Sequence, residues 1–281
     1  MKKLPFPTVA LLFLSFTTFS IPAADTSKTL SIHQLPPAVQ RTVKEELGDS
    51  KLVQIEQEEE DGETTYTITR KAKDEDRYFT VAADGTLSSI KVALDETPPP
   101  VQNTIKGQLR DGTLDSIEKT FEGNDINYEI DMTTKSGADC SFTVALDGKL
   151  TSLQVALDQI PAPVRKTIEE HIGDGKVVDV FRLTEGNEIS YDAEVDHDGK
   201  LRDVIVAPTG KLESIQVLLP EIPSEAQKTI KEKIGNGKII RIDKSFTPRQ
   251  GVLPFEVEGR KDGKPFNFSV GPKGRFLGMD E

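Results

Sequence analysis

The sequence predicts an α+β fold, a tandem repeat array of four modules, each one short helix packed on a small antiparallel sheet of about four strands. Three observations predict it. A proline-led amphipathic segment recurs four times, an alternating pattern centred on an aromatic residue follows each copy, and a glycine turn then leads into a closing apolar string. The period comes first, because self-similarity at fixed spacing decides architecture before any single element does. PPAVQRTVKEELGDSKL begins at Pro36, PPPVQNTIKGQLRDGTL at Pro98, PAPVRKTIEEHIGDGKV at Pro161 and PSEAQKTIKEKIGNGKI at Pro223. Thr42, Thr104, Thr167 and Thr229 stand 62, 63 and 62 residues apart.

The N-terminus is read apart from the repeat. Lys2 and Lys3 precede an apolar stretch from Val9 to Ile21, and Ala23 and Ala24 follow it. That pattern describes a secretory signal peptide over residues 1–24, cut after Ala23 or Ala24. The stretch is shorter than the roughly twenty apolar residues a membrane-spanning helix needs. A secreted or periplasmic location is therefore expected, with no membrane span. The repeats then divide the chain at 25–95, 96–158, 159–220 and 221–281.

Each copy decodes the same way. Proline opens the helix, where a missing N–H costs nothing. Val39, Val43 and Leu47 share one helical face, as do Val101, Ile105 and Leu109, then Val164, Ile168 and Ile172, then Ala226, Ile230 and Ile234. Gly48, Gly112, Gly173 and Gly235 are expected to end the helices in a left-handed conformation. Strands follow with period two. Tyr66, Tyr128, Tyr191 and Phe255 mark the face expected to be buried, and the alternate residues the face expected in water. The next strand carries Phe79 and Val81, Phe142 and Val144, Val204 and Val206, or Phe268 and Val270. Turns at Asp84-Gly85, Asp147-Gly148, Thr209-Gly210 and Lys273-Gly274 lead to the closing strings LSSIKVAL, LTSLQVAL and LESIQVLL. The links between copies are short, so neighbouring modules should pack or hold a fixed orientation in an elongated array.

This succession resembles the PepSY-like family, related in fold to β-lactamase inhibitory protein and to the PepSY modules of protease propeptides. The resemblance covers residues 35–281 in four copies. It rests on structural motifs and implies an extracytoplasmic inhibitory, chaperoning or partner-binding role. The fourth copy departs from the pattern. It lacks the full closing strand and ends at Gly278-Met279-Asp280-Glu281, which reads as a terminal cap with a truncated last strand.

Charge and chemistry narrow the function classes. Formal net charge is −12; removing residues 1–24 takes away two lysines and no acid, leaving −14. That excess argues against nucleic acid as a partner. One cysteine, Cys140, forms no intramolecular disulfide. His33, His171 and His197 fall in different repeat contexts, and no pair has the spacing of a zinc-binding helix. Glu194, Asp196, Asp198 and Gly199 fit the start of a calcium loop, but Ile205 occupies the twelfth position, where a bidentate glutamate is needed. A hairpin turn explains the segment better. Gly173-Asp174-Gly175 and Gly235-Asn236-Gly237 follow helices, so a phosphate would meet the wrong end of the dipole. No catalytic constellation emerges and no cofactor is implied; the chain reads as non-catalytic.

The reading that remains is an extracytoplasmic protein-binding module, an inhibitor or regulator of a secreted enzyme. The alternative is an envelope structural or scaffold protein with weak divalent-cation binding. Partner-binding candidates are the outward strand positions Asn127, Glu129, Asp131, Ser190, Asp192 and Glu194. Their inward neighbours are committed to the core, so these side chains are free for recognition, and the resemblance to β-lactamase inhibitory protein, which grips its target with its sheet face, points to the same side. The competing binder is the acidic loop Glu58 to Asp61. Residues 222–281 carry net +4 and residues 25–221 carry −18, a dipole that suits tail-to-head pairing with another copy or a basic partner along the first three modules.

Overall fold

The computed structural model describes residues 28–60, 63–72, 75–261 and 264–279. Residues 1–24, expected above to be a signal peptide, Asp61 and the terminal Asp280 and Glu281 lie outside them. The chain divides into two units, one ending at Leu153 and one beginning at Gln154.

The first unit is an antiparallel meander. Its strands are β1 (Lys28–Thr29), β2 (Lys51–Glu60), β3 (Glu63–Ala72), β4 (Glu75–Ala82), β5 (Leu87–Lys91), β6 (Thr113–Glu122), β7 (Asp125–Thr133), β8 (Asp139–Ala145) and β9 (Leu150–Gln154). Each pairs with the next. Helices α1 (Pro37–Leu47) and α2 (Pro99–Leu109) supply the cover. Val39, Val43 and Leu47 of α1 pack on Ile55, Tyr66, Ile68, Phe79 and Val81. Val101 and Ile105 of α2 pack on Ile117, Tyr128, Ile130, Phe142 and Val144. Each such side chain taken from water contributes about 1.5–3 kcal/mol. Tyr66 and Tyr128 are buried on this face, and the period-two reading of β3 and β7 holds.

The link between the two helical layers is itself sheet. Ser89, Ile90 and Lys91 of β5 pair with Thr120, Lys119 and Glu118 of β6, so strand follows strand without a break.

The second unit repeats the plan with α3 (Ala162–His171), β10 (Lys176–Glu185), β11 (Glu188–His197), β12 (Lys200–Val206) and β13 (Leu212–Gln216). It continues with α4 (Ser224–Ile234), β14 (Lys238–Ser245), β15 (Phe255–Lys261), β16 (Lys264–Pro265), β17 (Phe268–Val270) and β18 (Phe276–Met279). Val164 and Ile168 cover Val180, Ala193, Val195, Val204 and Val206; Tyr191 joins this core only half-buried. Ala226, Ile230 and Ile234 cover Ile242, Phe255, Val257, Phe268 and Val270. Strand β13 pairs with β14 as β5 does with β6. The closing strand β18 has four residues where β5, β9 and β13 have five.

One contact recurs at every helix. Thr42 Oγ1 donates to the Gly85 carbonyl at 2.6 Å, Thr104 to Gly148 at 2.6 Å, Thr167 to Gly210 at 2.6 Å and Thr229 to Gly274 at 2.7 Å. The threonines that set the repeat register thus tie each helix to the hairpin glycine. Those glycines are constrained twice. Gly148 has φ +86°, and a Cβ there would lie 2.7 Å from Pro100 Cβ and 2.9 Å from its carbonyl carbon and oxygen. Gly85, Gly210 and Gly274 meet Ala38, Pro163 and Glu225 in the same way. Each glycine closes a tight turn, as where Gly85 N donates to Ala82 O and Ala82 N to Thr86 O, both at 2.9 Å.

Three expectations need correction. Pro36, Pro98, Pro161 and Pro223 stand at the N-cap, one residue before the helix, and only α1 and α2 have a further proline at the first helical position. Gly112 does not end α2: Arg110 takes the positive φ (+48°) that Gly48, Gly173 and Gly235 take elsewhere. Gly112 is instead required by crowding, since a Cβ would lie 2.7 Å from the Thr133 carbonyl oxygen. Finally, the first strand after each helix carries a bulge, at Leu52/Gln54, Leu114/Ser116, Val177/Asp179 and Ile239/Arg241. The extra residue shifts which side chains face outward, a shift simple alternation does not foresee.

Candidate functional site

With one sheet face committed to the helices, the opposite face is the candidate surface. In the first unit its centre is a row of short polar side chains: Thr80 pairs with Ser89, Ser89 with Thr120, and Thr120 with Asn127. Beside this row Glu118 stands directly opposite Glu129, and Ser116 opposite Asp131. Ser116 Oγ donates to Asp131 Oδ2 at 2.7 Å, and Tyr78 donates to Glu118 Oε2 at 3.3 Å. Like charges facing each other across a ladder repel. Glu129 is half-buried, and burial, then Glu118, Glu122 and Asp131, push its carboxyl up to about 8. Burial and then Glu118 raise the Tyr78 hydroxyl as well. Asp131 is exposed and Asn127 half-buried.

The second unit places Ser190, Asp192 and Glu194 on the corresponding face of β11. Here the expectation of freely solvated side chains fails. Asp192 is only 5% exposed. It stands opposite Phe181 of β10 and Ile205 of β12, which are 6% and 9% exposed on the same face. Glu194 stands opposite Asp179 and Asp203, and Ser190 opposite Leu183. From β14, Arg241 reaches Asp203 in an ion pair and holds Asp243 Oδ2 at 2.6 Å. Asp192 Oδ1 is buried without a hydrogen-bond partner. Burial, then the Asp203 charge, raises the Asp192 carboxyl well above the usual carboxylate range against the opposing pull of Arg241. Burial, then Asp203 and Asp179, lift Glu194 to about 7. Asp243, Asp203 and Asp192 hold Arg241 above its ordinary value even though burial alone would lower it.

The structure therefore brings Asp192 and Glu194 into one acidic cluster and Glu129 and Asp131 into another, each within its own unit. Sequence reasoning passed over Asp203, Arg241, Asp243 and Phe181, and met Ile205 only as the twelfth position of a rejected calcium loop. The signal available was weak: an arginine two residues before an aspartate at Arg241-Ile242-Asp243, on a strand with period-two apolar residues. It also passed over the glutamines that follow Val39, Val101 and Ala226. Gln40, Gln102 and Gln227 side chains donate to the carbonyls of Leu35, Thr97 and Ile222 at 2.8–2.9 Å and fasten the chain entering the helix.

The remaining sequence candidates are structural in their geometry. Asp198 (φ +55°) and Gly199 (φ +81°) form the two-residue turn between β11 and β12, and Asp196 Oδ1 accepts from Gly199 N at 2.7 Å. His171 Nδ1 lies 2.8 Å from the Thr167 carbonyl oxygen, on its own helix. Cys140 packs beside the α2 core, and burial pushes its thiol up. Among the described residues no three histidine, cysteine or acidic side chains converge as metal ligands, and no helix is long and apolar enough to cross a membrane.

Comparison with solved structures finds small bacterial proteins. A "putative periplasmic protein" of the DUF2874 family from Bacteroides vulgatus is 14% identical, over 47% of this chain and 98% of that one, with a TM-score of 0.31. A "putative calcium-regulated periplasmic protein" from Bacteroides thetaiotaomicron is 17% identical, over 46% and 97%, with a TM-score of 0.30. A DUF2874 family protein from Bacteroides ovatus is 16% identical, over 42% and 85%, with a TM-score of 0.32. No curated protein matches the chain. The sequence profile "Putative beta-lactamase-inhibitor-like, PepSY-like" matches residues 24–88, 85–152 and 149–203, more than half of the chain, and the protein belongs to this PepSY-like family.

Proposed function

We propose that this protein is an extracytoplasmic, non-catalytic binding module that engages a basic protein partner through the outward faces of its sheets. The observation that carries this reading is the distribution of carboxylates on those faces. Glu118, Glu129 and Asp131 in one unit, and Asp179, Asp192, Glu194, Asp203 and Asp243 in the other, crowd surfaces that the helical cores do not need. Such crowding costs stability, and a cationic partner relieves it. Export rests on the signal-like residues 1–24. Inhibition or regulation of a secreted enzyme is the form of binding that the family resemblance suggests.

The same reading takes the chain as four copies with limits at 25–95, 96–158, 159–220 and 221–281. The four threonine-to-glycine hydrogen bonds support it. So do four backbone bonds that enter the copies alike: Leu30 N to Ile55 O at 2.9 Å, Val92 N to Ile117 O at 3.0 Å, Val155 N to Val180 O at 2.8 Å and Val217 N to Ile242 O at 2.9 Å.

The test is affinity capture from the native extracytoplasmic fraction, followed by binding measurements with charge-reversed variants. Glu129→Lys with Asp131→Lys should abolish capture of a stoichiometric basic protein, while Glu58→Lys with Glu59→Lys leaves it intact. The opposite pattern would assign binding to the acidic end of β2, where the structure places Glu58 and Glu59 in strand and not in a loop, and would refute the present reading.

A further inference from the structure

Within the second unit the acidic cluster has a shape that calls for a particular ligand. Arg241 pairs with Asp203 and with Asp243 Oδ2, while Asp243 Oδ1 and Arg241 Nη2 are themselves buried without a hydrogen-bond partner. Asp192, one strand further in, has a buried oxygen that no donor reaches. A buried polar atom without a partner is rare in folded proteins and expensive to keep. The groups facing it are Glu194 on its own strand, Asp203 on β12, and Arg241 and Asp243 on β14; Asp179 on β10 faces Glu194. Arg241 is thus shared by Asp192, Asp203 and Asp243, with Glu258 of β15 directly opposite it, while Glu194 and Asp179 stand alongside. Phe181 and Ile205 stand on either side of Asp192 as apolar walls.

We propose that Asp192, Glu194 and Asp203 form an anchor site for one cationic side chain, a lysine ammonium or an arginine guanidinium, inserted by a protein partner. The inference rests on the reading of the sheet face as the partner surface and names the group that enters it. A long basic side chain suits the site because its flexible aliphatic stem carries the charged head in from the rim to the carboxylates. A bare metal ion fits poorly, because the carboxylates are spread over three strands and do not converge, and metal sites need several oxygens at about 2.0–2.6 Å from one point. A cation entering the site favours the ionised carboxylates, so binding is coupled to proton release.

The experiment is isothermal titration calorimetry on the full chain at pH 7 and low salt, in two buffers of different ionisation enthalpy. Octalysine and octaarginine are the probes, with octaglutamate and calcium chloride as separate arms. Expected are binding of a cationic peptide with release of about one proton and no binding of octaglutamate. The stronger of the two peptides identifies the head group. Asp192→Asn, which keeps the size and neutral hydrogen bonding of a protonated aspartate, should weaken binding about tenfold, as expected for loss of one charge-assisted contact. Glu194→Gln, at a half-buried and more tolerant position, should weaken binding and remove the share of the proton release that Glu194 supplies, and it decides the matter if Asp192→Asn does not fold. Glu58→Gln with Glu59→Gln should change affinity less than about twofold, as for exposed charges. Wild-type affinity in Glu194→Gln, absence of proton release, or calcium binding that Asp192→Asn abolishes would each overturn the proposal. If it falls while the Glu129 and Asp131 reversals still abolish partner capture, the sheet-face function stands without this anchor.

Discussion

Replacing Gly148 by alanine tests the contact that joins helix to hairpin. Two costs add. At φ +86° an L-residue is strained, which costs on the order of 1–3 kcal/mol. The new Cβ would also lie 2.7–2.9 Å from Pro100 atoms, two of them backbone at the first turn of α2, so no rotamer change relieves it. Overpacking of this kind costs about 1–3 kcal/mol. Moving the hairpin away would further lengthen the Thr104 hydrogen bond, worth about 1 kcal/mol. The expected loss is therefore about 4 kcal/mol. Gly123→Ala is the control: its φ is +59° but nothing lies within 4 Å of the added methyl, so only the conformational cost of about 1 kcal/mol applies. Thr104→Val should cost about 1–2 kcal/mol by leaving the Gly148 carbonyl without its side-chain donor. Because both changes remove the same bond, the double variant should lose less than the sum. A repeat chain need not unfold in one step, so the readout is native-state hydrogen exchange at the amides of α2, β7 and β8. Protection within about 1 kcal/mol of wild type in Gly148→Ala would show that the close approach of hairpin to helix does not support the fold.

Further outcomes follow from the same geometry. Tyr128→Ala should destabilise the first unit by roughly 3–5 kcal/mol, as for other large buried side chains, and a loss under ~1 kcal/mol in urea titration would mean β7 presents its other face. Arg241→Ala should cost about 3 kcal/mol near pH 7.5 by leaving the half-buried Asp203 and Asp243 without their cation; the loss should shrink at pH 5, where Glu194 beside Asp203 takes up a proton, and an equal loss at both pH values would deny the electrostatic origin. Glu129 and Glu194 bind protons more tightly folded than unfolded. Their stabilisation is therefore complete below the ordinary glutamate range near 4.5 and is lost as pH rises through about 7 for Glu194 and about 8 for Glu129. Melting temperature should fall between pH 5.5 and 8.5, and Glu129→Gln should flatten the first unit's share of that fall, gaining on the order of 2 kcal/mol at the alkaline end. A melting temperature that rises over this range would refute the assignment.

Local chemistry was legible in the sequence. The amphipathic stripes, the alternating strands and the recurring threonine and glycine each depend on residues close along the chain, and each points to the same local element wherever it recurs. The inward positions Tyr66, Tyr128 and Phe255 followed from the two-residue period because the helix covers only one face of its sheet. The character of the outward face did not follow. Asp192 reads as a solvated strand residue until register sets Phe181 and Ile205 opposite it, and Arg241 belongs to the same cluster only because β13 and β14 pair across the intervening α4. The bulge at Val177/Asp179 is equally silent in the sequence, yet it decides that Asp179 and Phe181 look outward. Periodicity is a property of one strand and was there to be read. Which charges share a surface is a property of strands paired across the chain, and only the tertiary structure decided it.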